Sequence, residues 1–149
     1  MKYTEDISKR VNDLLEKNYD AEKGYKKAAE IVDNNKLKQF FNEQAQNRYD
    51  FGHQLKSEIE SFGETPDKGG STKGSMHRTW MDIKSTFTSN DEQAILNEVK
   101  TGEEAAVEEY NEVINDTTLP PTTQKILTEQ RNNVQTTLQN AKNFEAVLS

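Results

Sequence analysis

The sequence predicts an all-α protein, an antiparallel four-helix bundle, on three observations. Apolar residues make up only 32% of the 149 residues and charged residues 30%, and the mean hydropathy is −1.02. A two-layer sheet protein needs more apolar residues than this, whereas a bundle buries only a narrow stripe of each helix. Four long segments repeat apolar residues every three or four positions, which is helical spacing. The length corresponds to one domain.

The apolar stripes and turn signals together set the expected helix bounds within a single domain spanning 1–149. Asp33-Asn34-Asn35 is a turn sequence that ends the first helix, and Gly63 ends the second. The first turn is short, so the first two helices are expected to be antiparallel neighbours. The predicted helices cover about residues 4–33, 36–62, 90–115 and 120–148.

Two further signals begin the later helices. Ser89 followed by Glu92 is a capping box, which starts the third helix. Pro120-Pro121 begins the fourth helix, where proline is favoured.

A connection of about 27 residues separates the second and third helices, which is long enough to carry the chain along the whole bundle. Four of the seven glycines lie between residues 63 and 75, which predicts a flexible connection. Further along, apolar residues spaced 4, 3 and 4 apart predict a short extra helix at about 75–87. Two helical hairpins joined by one long crossover form the ferritin-like arrangement.

Composition excludes several classes of function. The chain has no cysteine, which excludes disulfide frameworks and thiolate metal sites. Its net charge of −7 argues against a general nucleic-acid binder. No apolar run approaches the roughly 20 residues that span a bilayer, so we expect no membrane association. The N-terminus lacks the basic and apolar regions of a signal peptide, which predicts a cytoplasmic protein.

The negative charge is concentrated in the third helix. Nine acidic residues and one lysine, Lys100, lie between Asp91 and Asp116. A solvated face that keeps the protein soluble accounts for this pattern. The alternative is a docking surface for a basic partner or for loosely held cations.

The metal-site pattern of dinuclear bundles is missing at the expected places. Such a site needs a Glu from each of two helices and Glu-x-x-His from each of the others. The segment from Phe41 to Leu55 is similar to the ferritin-type Phe-x-x-x-Ala-x-x-Glu-x-x-His pattern, but Arg48 and Phe51 stand at the Glu and His positions. The fourth helix has Gln130 and Asn133 instead. We therefore predict no dinuclear site and no cofactor.

A polar core is the hypothesis that replaces the metal site. A weak internal repeat aligns Asn18…Tyr25 with Glu103…Tyr110. An arginine near the bundle midplane needs a partner, because an unpaired buried charge costs several kcal/mol. Antiparallel register places Arg48 opposite Asn18 and Glu22, and Glu103 is a further candidate. The predicted polar core is Asn18, Tyr25, Arg48, Glu103, Tyr110 and Gln130. The alternative is that Arg48 extends to the surface.

Several stretches together resemble a known family. The most specific is His77-Arg78…Trp80-Met81-Asp82-Ile83-Lys84, and the others include Asn18…Gly24-Tyr25-Lys26, Ala45…Arg48…Phe51, Gly102-Glu103…Tyr110 and Leu119-Pro120-Pro121. The chain resembles the uncharacterised bacterial ferritin-like four-helix-bundle family that is classified as a domain of unknown function. The resemblance implies a ferritin-like bundle with a helical crossover, found in bacteria, with no assigned activity.

Three functions compete at this point. The preferred one is a non-catalytic interaction or stress-associated protein, a monomer or weak homodimer with a polar core. The second is an unusual iron- or manganese-binding protein, for which the candidate ligands are Glu22, Glu30, Glu103 and Glu104. The third is an interaction module that recognises a protein partner through the acidic third helix or through His77, Arg78 and Trp80.

Overall fold

Four helices make up the described part of the protein. The computed structural model describes residues 2–67, 92–116 and 119–148. The helices are α1 (Lys2–Ile31), α2 (Asn35–Ser61), α3 (Glu92–Asp116) and α4 (Pro121–Leu148), and these ranges contain no strand. α1 ends two residues before the predicted bound, because Asn34 already caps α2. The predicted short helix at 75–87 lies outside the described residues. None of the described helices is long and apolar enough to span a membrane.

Neighbouring helices of the bundle are antiparallel throughout. Contacts between α1 and α3 join Lys17 to Glu109 and Tyr25 to Glu103, so the residue number falls along one helix as it rises along the other. α2 and α4 meet in the same way, through Glu58 with Thr123 and Gln44 with Thr137. α1–α2 and α3–α4 are the two hairpins, and the diagonal pairs are α1–α4 and α2–α3.

The core has an apolar cluster at each end. One cluster lies near the α1–α2 turn and includes Val32, Leu37, Phe41, Ile95 and Val99. The other lies towards the opposite end and includes Val11, Leu55, Ile59, Leu127 and Val134. The predicted polar core residues lie near the middle of the helices, and two of them belong to the clusters, Tyr25 to the first and Tyr110 to the second.

The α1–α2 turn is held from both hairpins. The Asn34 side chain accepts hydrogen bonds from the backbone N–H groups of Lys36 and Leu37, as an N-cap does. The Glu92 carboxylate accepts from the backbone N–H groups of Asp33 and Asn34, at 3.2 and 2.9 Å. Glu92 thus ties the start of α3 to this turn, and Ser89, its predicted capping partner, lies outside the described residues.

α2 ends in a Schellman motif that requires glycine. Gly63 has φ +80°, and the backbone N–H groups of Gly63 and Glu64 donate to the carbonyls of Glu60 and Ile59. The chain then folds back onto α1, where the Asp67 N–H donates to Asn12 Oδ1 at 2.8 Å. The crossover therefore starts against α1 and must reach the opposite end of the bundle, where Glu92 contacts the α1–α2 turn.

Gly52→Ala is expected to stabilise the protein by about 0.5–1 kcal/mol, because alanine loses less backbone entropy than glycine in a helix interior. A Cβ atom at Gly52 would lie 3.6 Å from Leu15 Cδ1, which is an ordinary contact. Gly63→Ala is the matched control and should destabilise by about 1 kcal/mol, because its φ is positive. Urea unfolding of both variants measures the difference; a destabilised Gly52→Ala variant would contradict the packing described.

Candidate functional site

A buried ion pair lies at the centre of the bundle. The side chain of Arg48 on α2 is 3% exposed and that of Glu103 on α3 is fully buried. Arg48 Nη2 donates to Glu103 Oε1, and Arg48 Nη1 donates to Asn18 Oδ1 at 2.9 Å. The Tyr25 hydroxyl donates to Glu103 Oε2 at 2.8 Å. Both carboxylate oxygens therefore have a hydrogen-bond donor.

The hydrogen bonds continue from this pair to the fourth helix. Asn18 Nδ2 donates to the Tyr110 hydroxyl at 2.9 Å, and that hydroxyl donates to Gln130 Oε1 at 2.7 Å. Gln130 Nε2 donates to Gln54 Oε1 at 2.9 Å. All four helices contribute to one connected network. We call its six buried residues the polar layer: Asn18, Tyr25, Arg48, Glu103, Tyr110 and Gln130.

The internal repeat has a geometric basis in this layer. In both repeats a polar residue precedes a tyrosine by seven positions, two turns of helix on the same face. Because α1 and α3 are antiparallel, Asn18 lies opposite Tyr110 and Tyr25 lies opposite Glu103. Each tyrosine hydroxyl thus bonds the polar residue of the other repeat.

The structure decides between the partners considered for Arg48. Glu22 pairs with Lys26 instead, at 2.9 Å, with the Glu22 side chain partly buried and that of Lys26 exposed. Arg48 does not extend to the surface, and its guanidinium carbon lies 6.0 Å from the ring centre of Phe51. The two residues at the ferritin-type Glu and His positions therefore contact each other through a cation–π interaction. Gln54 was not predicted, and its exposed position outside the apolar stripe gave no signal.

The charges of the layer depend on each other. Burial raises the pKa of Glu103, and the Arg48 charge with the hydrogen bonds from Tyr25 and Arg48 lowers it only in part. Burial acts to lower the pKa of Arg48, but the combined effect of Glu103, Tyr110, Tyr25 and Glu109, of which Glu103 contributes most, outweighs it, so the pKa of Arg48 is raised. A guanidinium stays protonated in proteins. Glu103 therefore supplies the negative charge that compensates the buried cation.

The two tyrosines are held in their neutral form. Burial raises the pKa of Tyr110 to about 12, with opposing contributions from Arg48 and Asn18. Burial also raises the pKa of Tyr25 well above its ordinary value, and the neighbouring Glu103 charge adds to the effect. Neutral hydroxyls are required here, because each one donates a hydrogen bond to an oxygen.

The donor set of the polar layer does not fit a dinuclear metal centre. Its one carboxylate is already neutralised by Arg48, and the remaining oxygens belong to neutral amides and phenols. Dinuclear bundle sites need four carboxylates and two imidazoles. Within residues 2–67, 92–116 and 119–148, no three His, Asp or Glu side chains are grouped as a metal site requires.

The candidate ligands of the metal hypothesis are dispersed. Glu30 is exposed and lies 4.0 Å from Lys27, and Glu104 is exposed on α3. Glu22 and Glu103 are engaged by Lys26 and Arg48. The candidate partner-binding residues His77, Arg78 and Trp80 lie outside the described residues. On α3 the structure exposes Glu104, Glu108 and Glu112, spaced one helical turn apart.

Arg48→Met is expected to destabilise the protein by about 3–5 kcal/mol, because it leaves Glu103 buried without a compensating charge. Glu103→Met should have a cost of the same order. The destabilisation of the double variant should be smaller than the sum of the two single-variant values. The difference, which is the coupling energy of the pair, should be about 2 kcal/mol or more. Urea unfolding of the three variants measures the coupling.

Lys100→Met provides the control, since Lys100 pairs with Glu145 in a partly exposed position and should change stability by less than about 1 kcal/mol. An Arg48→Met variant as stable as the wild type would remove the stabilising role assigned to the ion pair.

Stability is expected to fall between pH 10 and about 12 as a result of Tyr110. Its folded pKa is raised to about 12, so its contribution is complete below pH 10 and is lost as the pH rises through the folded value. The slope it adds is at most about 1.4 kcal/mol per pH unit. Unfolding free energies measured from pH 9 to 12 should fall less steeply for Tyr110→Phe than for the wild type. Tyr49→Phe, at an exposed position, is the control; equal slopes in all three proteins would contradict the prediction.

Solved structures share this fold. A point mutant of Dps1 from Mycobacterium smegmatis superposes with a TM-score of 0.81 at 17% identity, covering 97% of each chain. Dps from the same organism in a tetragonal crystal form gives a TM-score of 0.79 at 17% identity, covering 96% of this chain and 87% of that one. An N-terminal deletion mutant of Dps gives 0.77 at 14% identity, covering 97% of each chain. The predicted ferritin-like fold is thereby confirmed.

A search of curated proteins found no sequence with significant similarity. The family described as a domain of unknown function (DUF2383) matches residues 6–116, which include α2, α3 and nearly all of α1. These residues contain five of the six members of the polar layer. The chain therefore belongs to the DUF2383 family, as the sequence resemblance predicted.

Proposed function

We propose that this protein is a non-catalytic ferritin-like bundle whose polar layer takes the place of a dinuclear metal site. The observation that carries the proposal is the buried Arg48–Glu103 pair at the bundle centre. A cation and a metal ion cannot share one compensating carboxylate, because the added positive charge would be buried without a partner. On this proposal, the layer holds the helices in register and the protein acts through its surface.

The burial of the polar layer supports the proposal that the layer catalyses no reaction. Arg48, Glu103, Tyr25 and Tyr110 are each at most 3% exposed. A substrate atom could reach these groups only if the hairpins separated. Their hydrogen bonds are also mutually satisfied, so no acid, base or nucleophile of the layer is available for a reaction.

A role as an interaction module has one supporting observation. Glu104, Glu108 and Glu112 form an exposed row on α3, and none of the described salt bridges involves them. This row would suit a basic segment of a partner protein. A stress-associated role is compatible with either proposal. The alternative is a metal-binding protein with Glu22, Glu30, Glu103 and Glu104 as ligands, and the following experiment would detect it.

Protein purified from cells supplied with iron and manganese is expected to contain well below one metal ion per chain by elemental analysis. Its melting temperature should not change on addition of Fe²⁺, Mn²⁺ or EDTA, because no vacant anionic site exists in the layer. The matched variant Arg48→Glu with Phe51→His supplies the two ferritin-type ligands. It should take up more metal than the wild type and gain thermal stability from it.

Near one metal equivalent in the wild type, lost in Glu103→Gln, would overturn the proposal in favour of the metal-binding alternative. Metal that remains in Glu103→Gln would place the site elsewhere in the chain. Circular dichroism of each variant establishes that the bundle is folded before its metal content is compared.

A further inference from the structure

The outer face of α2 carries a row of exposed residues with heptad spacing. The row steps by 4, 3, 4, 3 and 4 positions, and all of its members are exposed. We call it the amide stripe: Asn35, Gln39, Asn42, Gln46, Tyr49 and His53. It contains no carboxylate, lysine or arginine. Positions repeating every 3.5 residues form the contact seam when two helices pack side by side.

The surface around the stripe carries two shallow, open grooves. The first, of about 460 Å³, is lined by Asn35, Gln39, Asn42 and Gln46 and, at its edges, by Lys38 and Glu43. A second groove, of about 410 Å³, shares Asn42 and Gln46 and continues to Tyr49 on the α1 side. Tyr49 itself is 48% exposed, one of two large apolar side chains exposed in the described ranges, and it stacks edge-on against His53.

We propose that the amide stripe is a homodimer contact, in which α2 packs antiparallel against α2 of a second copy. A two-fold axis between Asn42 and Gln46 places Asn42 opposite Gln46 of the second copy. The same operation places Gln39 opposite Tyr49 of the second copy, so each Tyr49 enters the groove beside Gln39 of its neighbour. Asparagine and glutamine amides both donate and accept, so such a seam is self-complementary, as a two-fold contact requires.

Charges on one flank of the stripe favour this orientation. Lys36, Glu43 and Asp50 are exposed and seven residues apart. In the antiparallel pair Lys36 lies within one turn of Asp50 of the second copy, and this attraction occurs twice. Each Glu43 lies near the two-fold axis, close to Glu43 of the second copy, and this repulsion opposes association. In a parallel pair the same flank of the two copies lies on opposite sides of the seam, so Lys36 would not meet Asp50 of the second copy.

The size of the stripe sets the expected strength of the dimer. From Asn35 to His53 the seam is about 27 Å long, and a helix is about 10 Å wide. The contact area of a seam with this length and width is smaller than the roughly 800 Å² per partner of a standard stable interface. The dimer should therefore be weak and should dissociate on dilution.

Sedimentation equilibrium of the full chain, from low micromolar to millimolar concentration, tests the proposal. The wild type should show a monomer–dimer equilibrium. N42E/Q46E brings carboxylates together across the two-fold axis and should raise the dissociation constant at least about tenfold. N42K/Q46E makes each introduced lysine face an introduced glutamate of the other copy, so dimerisation should be retained or strengthened. Tyr49→Ser should weaken the dimer, and Glu43→Gln should strengthen it.

Asn132→Glu with Thr136→Glu is the matched control, because it adds the same charges at the same spacing to the exposed face of α4. It should leave the dissociation constant unchanged within about threefold. A wild type that stays monomeric at millimolar concentration would overturn the proposal. Loss of the dimer in the α4 control would also overturn it. Equal dissociation constants for N42E/Q46E and N42K/Q46E would do the same.

Discussion

The pairing of Arg48 with Glu103 is the constraint on which the rest of the bundle depends. Removing two ions from water costs several kcal/mol for each, and their attraction offsets this only when the remaining hydrogen-bonding groups also have partners. Tyr25 and Asn18 supply two of those partners, and Asn18 is in turn bonded to Tyr110. One buried arginine therefore fixes the height and rotation of α1, α2 and α3 relative to each other, and the Tyr110–Gln130 bond extends the constraint to α4.

The same layer accounts for how a chain with few apolar residues adopts one helix register. Each apolar cluster is short, and aliphatic stripes alone tolerate a shift of one helical turn because their side chains are similar in size. A one-turn shift of α2 against α3 would bury Arg48 and Glu103 apart from each other. We therefore expect the layer to contribute more to the uniqueness of the fold than to its stability, since an apolar replacement of such a pair is often neutral. Among the described residues, only Ser8 Oγ and Arg131 Nε are buried without a hydrogen-bond partner, and both lie outside the layer.

Periodicity predicted the four-helix fold because each helix shows the full apolar stripe that burial requires. The members of the polar layer could be predicted because Arg48 interrupts an apolar stripe and needs a partner. The sequence still left Glu22 open as an alternative partner of Arg48, since the choice depends on how far α1 is rotated towards α3, which the spacing of residues along a single helix does not determine. Glu92 is a second case: as part of a capping box its carboxylate is expected to bond locally, whereas its contact with the α1–α2 turn depends on how the hairpins pack.

Because the interior of the bundle is closed, the exposed helix faces are the surfaces available for contact with other molecules. α2 and α3 are a diagonal pair, so their outer faces point to opposite sides of the bundle. The α2 face is uncharged along its centre, which favours contact with an identical surface, whereas the α3 face carries Glu104, Glu108 and Glu112 and would repel a copy of itself. Association through α2 would therefore leave both acidic faces exposed on the outside of the dimer. A dimer of this kind presents two separated acidic surfaces, and a partner with two basic segments would bind it more tightly than a single copy.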